Sequence, residues 1–80
     1  MLVIEVADSS TEFDRTVKLP LYAEAGISEV WIVNLPDEKV EMFASAVNGV
    51  YQKRAELKRG EHLKSEMVPG LSLSVDSIFG

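Results

Sequence analysis

Glu5 and Lys18 are the residues whose types and positions point most directly to chemistry. Glu5 interrupts the run LVIEVA, residues 2–7, which is otherwise apolar and is typical of a strand inside a sheet. Lys18 follows in a segment with helical spacing. A strand rises about 3.3 Å per residue, and a helix returns about 1.5 Å per residue. If the helix covers the face of the strand that carries Glu5, we therefore expect the ammonium and the carboxylate at a similar height.

A carboxylate and a lysine at one level have two interpretations. The structural one is an ion pair, in which Lys18 also contacts Asp14 at i,i+4, or simple exposure of Glu5 at a sheet edge. The chemical one is a metal-dependent phosphodiesterase. In such a site a carboxylate helps to hold Mg²⁺ through oxygen ligands, and a lysine orients or deprotonates water or stabilises negative charge. Spacing alone favours the structural interpretation and leaves the chemical one open.

The segments around these residues predict a strand, a helix and a second strand. Apolar residues recur every fourth position over residues 12–25, which predicts the helix; they are Phe13, Val17, Leu21 and Ala25. Thr11 and Asp14 resemble a capping box at its start, and Gly26 is well placed to end it. Pro20 predicts a kink or an early 3₁₀ turn. The run EVWIVNL, residues 29–35, predicts a second interior strand.

The remainder predicts a β-meander. Residues 39–45 alternate polar with apolar as a half-exposed strand does, and the following VNG signals a tight turn. An outer strand in VYQKRAELK, a short strand near Leu63 and a final turn capped by Asp76 complete the prediction. Two strands joined by a helix form a right-handed parallel crossover. The predicted fold class is therefore α/β (α+β), a single domain with a mixed sheet.

Composition limits the function classes. The chain has 80 residues, a formal net charge of −5 and no cysteine. The acidic balance disfavours a dedicated nucleic-acid binder, but not an enzyme that reaches phosphates through a metal ion. Disulfides and thiolate metal sites are excluded, and a reducing compartment is compatible. The lack of an apolar run of about 20 residues and of a basic leader predicts a cytoplasmic protein with no membrane contact.

The two predicted interior strands are apolar on both faces, whereas the sequence offers one clear helix to cover them. We expect a second copy of the chain, or a part of the domain that is absent from it, to cover the other face of residues 2–7 and 30–33. The sequence therefore predicts a homo-oligomer held together by apolar strand faces.

Three further groups of residues have structural interpretations. His62, the only histidine, lies in a predicted surface turn and is expected to be solvated. The aromatic residues Trp31, Phe43 and Tyr51 would suit base stacking, but their strand positions favour the core. The basic segment with Lys53, Arg54, Lys58 and Arg59 is interleaved with Glu56 and Glu61. That mixture favours a solvated strand edge over a phosphate-binding surface.

The order of these features resembles the Uma-type restriction endonuclease family, a branch of the PD-(D/E)XK restriction-endonuclease-like superfamily. That family combines a Glu-bearing apolar strand, a Ser-rich turn, a helix with Asp and Lys four apart, and a Trp-bearing strand. The matching residues are Glu5, Val6, Ser9, Ser10, Asp14, Lys18, Tyr22, Gly26 and the WIVN that starts at Trp31, with Gly49, Gly60, Pro69, Gly70 and Phe79 in the later part.

The resemblance implies DNA phosphodiester hydrolysis that depends on Mg²⁺ or Mn²⁺, with Glu5 as metal ligand and Lys18 as catalytic lysine. In most of the superfamily the lysine lies two residues after the glutamate, where this chain has Ala7, so the resemblance implies its transfer to the helix. The chain also has Asn34 where the family commonly has Asp, and Asp8 is expected to be a turn residue.

A second acid of the superfamily, the Asp of an upstream strand, has no counterpart here. We therefore expect residues 1–80 to be a truncated domain, the C-terminal portion of a restriction-endonuclease-like fold, that is inactive alone. The alternative is a non-catalytic homo-oligomeric or protein-interaction module, and a third possibility is a fragment of a longer gene product.

Overall fold

The computed structural model describes residues 2–8 and 14–80 as an α+β fold. Its strands are β1 (Leu2–Ala7), β2 (Glu29–Asn34), β3 (Lys39–Val47), β4 (Val50–Lys58), β5 (His62–Lys64) and β6 (Ser72–Ser74). A π-helical turn, Asp14–Lys18, continues into helix α1 (Leu19–Glu24), and helix α2 (Val75–Phe79) ends the chain. None of the described helices is long and apolar enough to cross a membrane.

The main sheet has the order β1-β2-β3-β4. β1 and β2 are parallel, whereas β2, β3 and β4 pair antiparallel in sequence order. The predicted crossover and meander, and with them the mixed sheet of a restriction-endonuclease-like half-domain, are thus confirmed. Asn48 and Gly49 join β3 to β4 with φ of 52° and 77°, the positive values that a two-residue hairpin turn requires.

The helix differs from its prediction at Pro20. We expected a kink or a 3₁₀ turn, but the chain passes from the π-helical turn to α1 at Leu19, and Pro20 lies in the first turn of α1. Proline is tolerated there because the first helical N–H groups have no intrahelical acceptor. The predicted end is confirmed: Gly26 has φ of 79°, and Ile27 N–H donates to Tyr22 O at 3.0 Å. The Thr11–Asp14 capping box and the Asp14 side-chain contact lie outside the described residues.

Both faces of β2 are covered from within the chain, which corrects the expectation of an external cover. On one face, Val30 and Ile32 pack with Leu19 and Phe43 beneath the helix. On the other face, Trp31 and Val33 pack with buried side chains of β5 and α2, and Leu73 of β6 packs against the same cluster. The sequence did not predict this cover, because the C-terminal elements are too short to show a period.

β1 was predicted to lie in the interior of the sheet, but it lies at the edge. Ile4 and Val6 point away from the helix and are 50% and 62% exposed. Val3 and Ala7 face the helix side, where Ala7 is fully buried. An apolar run covered on one face only can thus occur in an edge strand, and apolarity alone did not distinguish the two positions.

The remaining predictions concern the outer strand, the aromatic residues, His62 and the cap of the last helix. β4 is the opposite edge strand, Trp31 and Phe43 are buried, and His62 is exposed. The expected cap is wrong, because the Ser74 hydroxyl and not Asp76 accepts from Ser77 N–H, at 3.1 Å. Asp76 accepts instead from Gly60 N–H at 3.0 Å, which joins α2 to the end of β4.

Candidate functional site

Glu5 and Lys18 meet on the helix-covered face of the sheet. Lys18 Nζ lies 3.4 Å from Glu5 Oε2. β1 directs Glu5 to this face because side chains alternate along a strand, and the π-helical turn brings Lys18 over it. The side chains are 22% and 39% exposed, so the pair is open to small solutes.

Tyr22 is the second partner of Glu5, which was not predicted. Its hydroxyl donates to Glu5 Oε1, so each carboxylate oxygen of Glu5 has a donor from the same helical segment. Lys18 and Tyr22 are four positions apart and share one helix face. That spacing is the signal by which the partnership could have been found.

These donors lower the pKa of Glu5 below its ordinary value of 4.5. The largest cause is the Tyr22 hydrogen bond, which partial burial opposes and the Lys18 charge reinforces. A hydrogen bond or a positive charge that favours the ionised form lowers a carboxyl pKa. Glu5 is therefore a carboxylate at neutral pH, as a metal ligand or an ion-pair partner must be.

A complete metal site is not formed by these residues in one copy of the chain. Within residues 2–8 and 14–80, no three His, Cys, Asp or Glu side chains lie close enough together to hold a metal ion. Asp8 is exposed at a bend after β1, as predicted, and the slot two residues after Glu5 holds the buried Ala7. Mg²⁺ is usually bound through one or two carboxylates in near-octahedral geometry, and Glu5 can supply one of them.

A second charged group occupies the same face and was not predicted. Glu41 of β3 is separated from Glu5 by Ile32 of β2, and its side chain is fully buried. Arg15 Nε lies 3.1 Å and an Arg54 terminal nitrogen 3.6 Å from Glu41 Oε2. The 3.1 Å contact is an ion pair without hydrogen-bond geometry. Glu41 is thus neutralised by two guanidinium groups and is a poor candidate for a second metal ligand.

Glu29, at the start of β2, is a structural carboxylate. It is fully buried and accepts four hydrogen bonds, from Trp31 Nε1, the Ser65 hydroxyl and the backbone N–H groups of Glu66 and Met67. Burial acts most strongly on its pKa and raises it, but the four donors together lower the pKa below 4.5. The residue ties the segment after β5 to the sheet.

Asn34 fixes the turn between β2 and β3. Its Oδ1 accepts from Asp37 N–H at 3.1 Å, and its Nδ2 donates to Asp37 Oδ2 at 3.3 Å. The amide therefore has a local structural role in this chain.

The comparison with known families agrees with this geometry. The model of the family described as Uma2, putative restriction endonuclease, matches residues 1–76. No curated protein matches the chain. The match covers the Glu5 strand, the Lys18 helix and most of the C-terminal cover, and it confirms the resemblance found in the sequence. The chain belongs to the Uma2 family.

Proposed function

We propose that the chain is a nuclease-type domain for DNA phosphodiester hydrolysis, in which Glu5 is a ligand for Mg²⁺ or Mn²⁺ and Lys18 is the catalytic lysine. The observation that supports this most is the 3.4 Å approach of Lys18 Nζ to Glu5 Oε2. The family suggests a nuclease-like, DNA-binding domain that uses a divalent metal. The two residues that family membership implies as functional are neighbours in the fold although they are distant in sequence.

In this proposal Glu5, Tyr22 and Lys18 each have a definite task. Glu5 supplies one carboxylate, and Tyr22 orients it through the hydrogen bond to Oε1. Lys18 is close to the carboxylate yet 39% exposed, so its ammonium can reach a phosphate oxygen and stabilise negative charge there.

One copy of the chain is not expected to be active. Glu5 belongs to no group of three possible metal ligands within residues 2–8 and 14–80, and Glu41 on the same face is paired with Arg15 and Arg54. We propose that residues 1–80 form one domain, a restriction-endonuclease-like half-domain, that acts only when a second acid is supplied. We place it in the cytoplasm, since a chain without cysteine needs no oxidising compartment.

Calorimetric titration of Mg²⁺ and Mn²⁺ into the purified chain tests the site. We expect binding that is lost in Glu5→Ala and kept in Glu24→Ala, a matched control in which the replaced glutamate is exposed on α1. The same binding by all three proteins, or by none of them, would contradict the role of Glu5. Circular dichroism of each sample establishes that the variants are folded.

A second candidate is a non-catalytic homo-oligomeric module. It is favoured by an apolar groove of about 340 Å³ next to β1, which is lined by Ile4, Val6, Trp31, Val33, Leu35, Leu73 and Ile78. If this candidate is correct, the oligomer persists in Glu5→Ala, dissociates in Ile4→Lys, and no metal binding depends on Glu5.

A further inference from the structure

Glu41 lies in the same row of residues across the sheet as Glu5. The strand register places Glu5, Ile32 and Glu41 side by side on β1, β2 and β3. Neighbouring strands are about 4.8 Å apart, so the backbones at the two glutamates are about 10 Å apart. The row continues on β4 with Glu56, which is the direct partner of Glu41. The two carboxylates at Glu5 and Glu41 thus occupy two places at one level of the sheet.

The position of Glu41 is unfavourable for the fold alone. Its side chain is fully buried, and within residues 2–8 and 14–80 neither of its carboxylate oxygens accepts a hydrogen bond. Glu56 lies directly opposite, and like charges in that arrangement destabilise a sheet. The ion pairs with Arg15 and Arg54 offset this cost, yet apolar residues in place of a buried ion pair are often as stable or more so. Such departures from what the fold requires are expected at functional sites.

Arg15 and Lys18 belong to the same π-helical turn, Asp14–Lys18. Arg15 Nε lies 3.1 Å from Glu41 Oε2 on β3. Lys18 Nζ lies 3.4 Å from Glu5 Oε2 on β1. The turn therefore spans β2 and is attached to the sheet on both sides at one level. Single π-helical turns are rare and frequently occur at functional sites.

We propose that Glu41 is a positioning residue for Lys18. Through its ion pair with Arg15 it holds the π-helical turn against β3, and the held turn places the Lys18 ammonium beside Glu5. An exposed ion pair contributes too little to fix a long side chain by itself, and Lys18 is 39% exposed, so the turn has to bring the ammonium into place. The importance of this placement for hydrolysis rests on the proposed function, whereas the placement itself does not.

Arg54 offers a comparison within the same cluster. Its terminal nitrogen lies 3.6 Å from the same Glu41 oxygen, but the residue belongs to β4, and its guanidinium lies over the Phe43 ring. Loss of Arg54 therefore removes a positive charge from Glu41 and leaves the turn attached. Loss of Arg15 removes the guanidinium that attaches the turn.

Zero-length cross-linking with a carbodiimide measures the contact between Lys18 and Glu5 directly. The reagent activates a carboxylate, which a touching amine then attacks to form an amide bond, and mass spectrometry after proteolysis locates that bond. The exposed pair of Lys53 and Glu66, with Nζ and Oε1 2.8 Å apart, lies away from the turn. Its cross-link serves as an internal reference in every sample.

We expect the wild type to form the link between Glu5 and Lys18, and Glu41→Met to lose most of it relative to the reference link. Methionine has a similar length and suits the buried position, so the variant is expected to fold. Glu56→Met is the matched control, because it removes the neighbouring carboxylate of the same row without a contact to the turn. This control should keep the link.

Arg15→Met and Arg54→Met form a second matched pair. We expect the link between Glu5 and Lys18 to be lost in Arg15→Met and kept in Arg54→Met. The Arg15 side chain is 30% exposed, so this pair decides the matter if Glu41→Met does not fold, which loss of the reference link would reveal.

An undiminished link between Glu5 and Lys18 in folded Glu41→Met, or equal losses in Glu41→Met and Glu56→Met, would overturn the positioning. A wild type that forms the reference link alone would overturn it as well. The cross-link needs neither metal nor DNA. The expected cross-links without Glu5-dependent metal binding would therefore contradict the proposed function alone, and Glu5-dependent metal binding with an undiminished link in Glu41→Met would contradict the positioning alone.

Discussion

At Glu5, two donors and partial burial act on one carboxylate in opposite directions. Tyr22 and Lys18 stabilise the charged form, and burial destabilises it. Because the pKa in the folded state is below the ordinary 4.5, ionisation of Glu5 contributes stability above that pH, and the contribution is lost as the pH falls through the folded pKa. The carboxylate thus stabilises the fold whether or not it binds a metal, and the structural and chemical interpretations are compatible.

We predict that Tyr22→Phe raises the pKa of Glu5 more than Lys18→Met does, because the hydroxyl is the largest cause of the shift. The phenylalanine ring keeps the packing of Tyr22 against the core, so the loss of unfolding free energy at neutral pH should be about 1 kcal/mol. Carboxyl-carbon NMR titration of the wild type and both variants measures the pKa directly. A larger rise in Lys18→Met would assign the main effect to the ammonium.

At the scale of elements, Glu29 joins the second strand to the segment between β5 and β6. Its two oxygens together accept from Trp31, Ser65, Glu66 and Met67, and the last three are 36 to 38 positions away in sequence. A neutral amide at this position would have an NH₂ group where the carboxylate has an acceptor. The attachment of this segment therefore depends on the charge of one buried side chain.

We predict that Glu29→Gln lowers the free energy of unfolding by about 2 kcal/mol at neutral pH, since buried donors lose their acceptor. The folded pKa of Glu29 lies below 4.5, so the wild type should lose this stability as the pH falls through that pKa, and the variant should not. Urea unfolding between pH 3 and pH 7 measures the difference. The exposed Glu24→Gln serves as control, and an equal effect of both variants would contradict the role of Glu29.

Local sequence patterns predicted the helices and strands better than they predicted which of these elements lie side by side. The end of the helix at Gly26 and the β3–β4 turn follow from glycine at positive φ, a property of single residues. The edge position of β1 and the cover supplied by β5, β6 and α2 depend on pairing between distant segments, for which these short elements carry no period. Glu5 and Lys18 were identified because a strand and a helix have known rises. Glu29 was missed, since three of its four donors lie 36 to 38 positions away in the segment after β5. Glu41 was missed, since the polar positions of its alternating strand were expected to be exposed.

At the scale of the whole molecule, the sheet separates two apolar clusters, and the C-terminal elements form the second. Leu63 of β5 and Val75 of α2 are fully buried with Trp31. Trp31 is the only tryptophan of the chain, so its fluorescence reports on the core that the C-terminal elements close. If this cover is an integral part of the domain, its removal should destabilise the sheet as a whole.

We predict that Leu63→Ala lowers the free energy of unfolding by about 3 kcal/mol, because a buried leucine leaves a cavity that the surroundings fill only in part. Met67→Ala removes an exposed side chain of the same C-terminal region and should change stability by less than about 0.5 kcal/mol. Urea titration followed by Trp31 fluorescence and by circular dichroism gives both values. Coincident transitions would indicate that cover and sheet unfold together, as one core requires. A small effect of Leu63→Ala, or loss of the fluorescence signal before the sheet unfolds, would mean that the C-terminal elements are docked on a sheet that is stable without them.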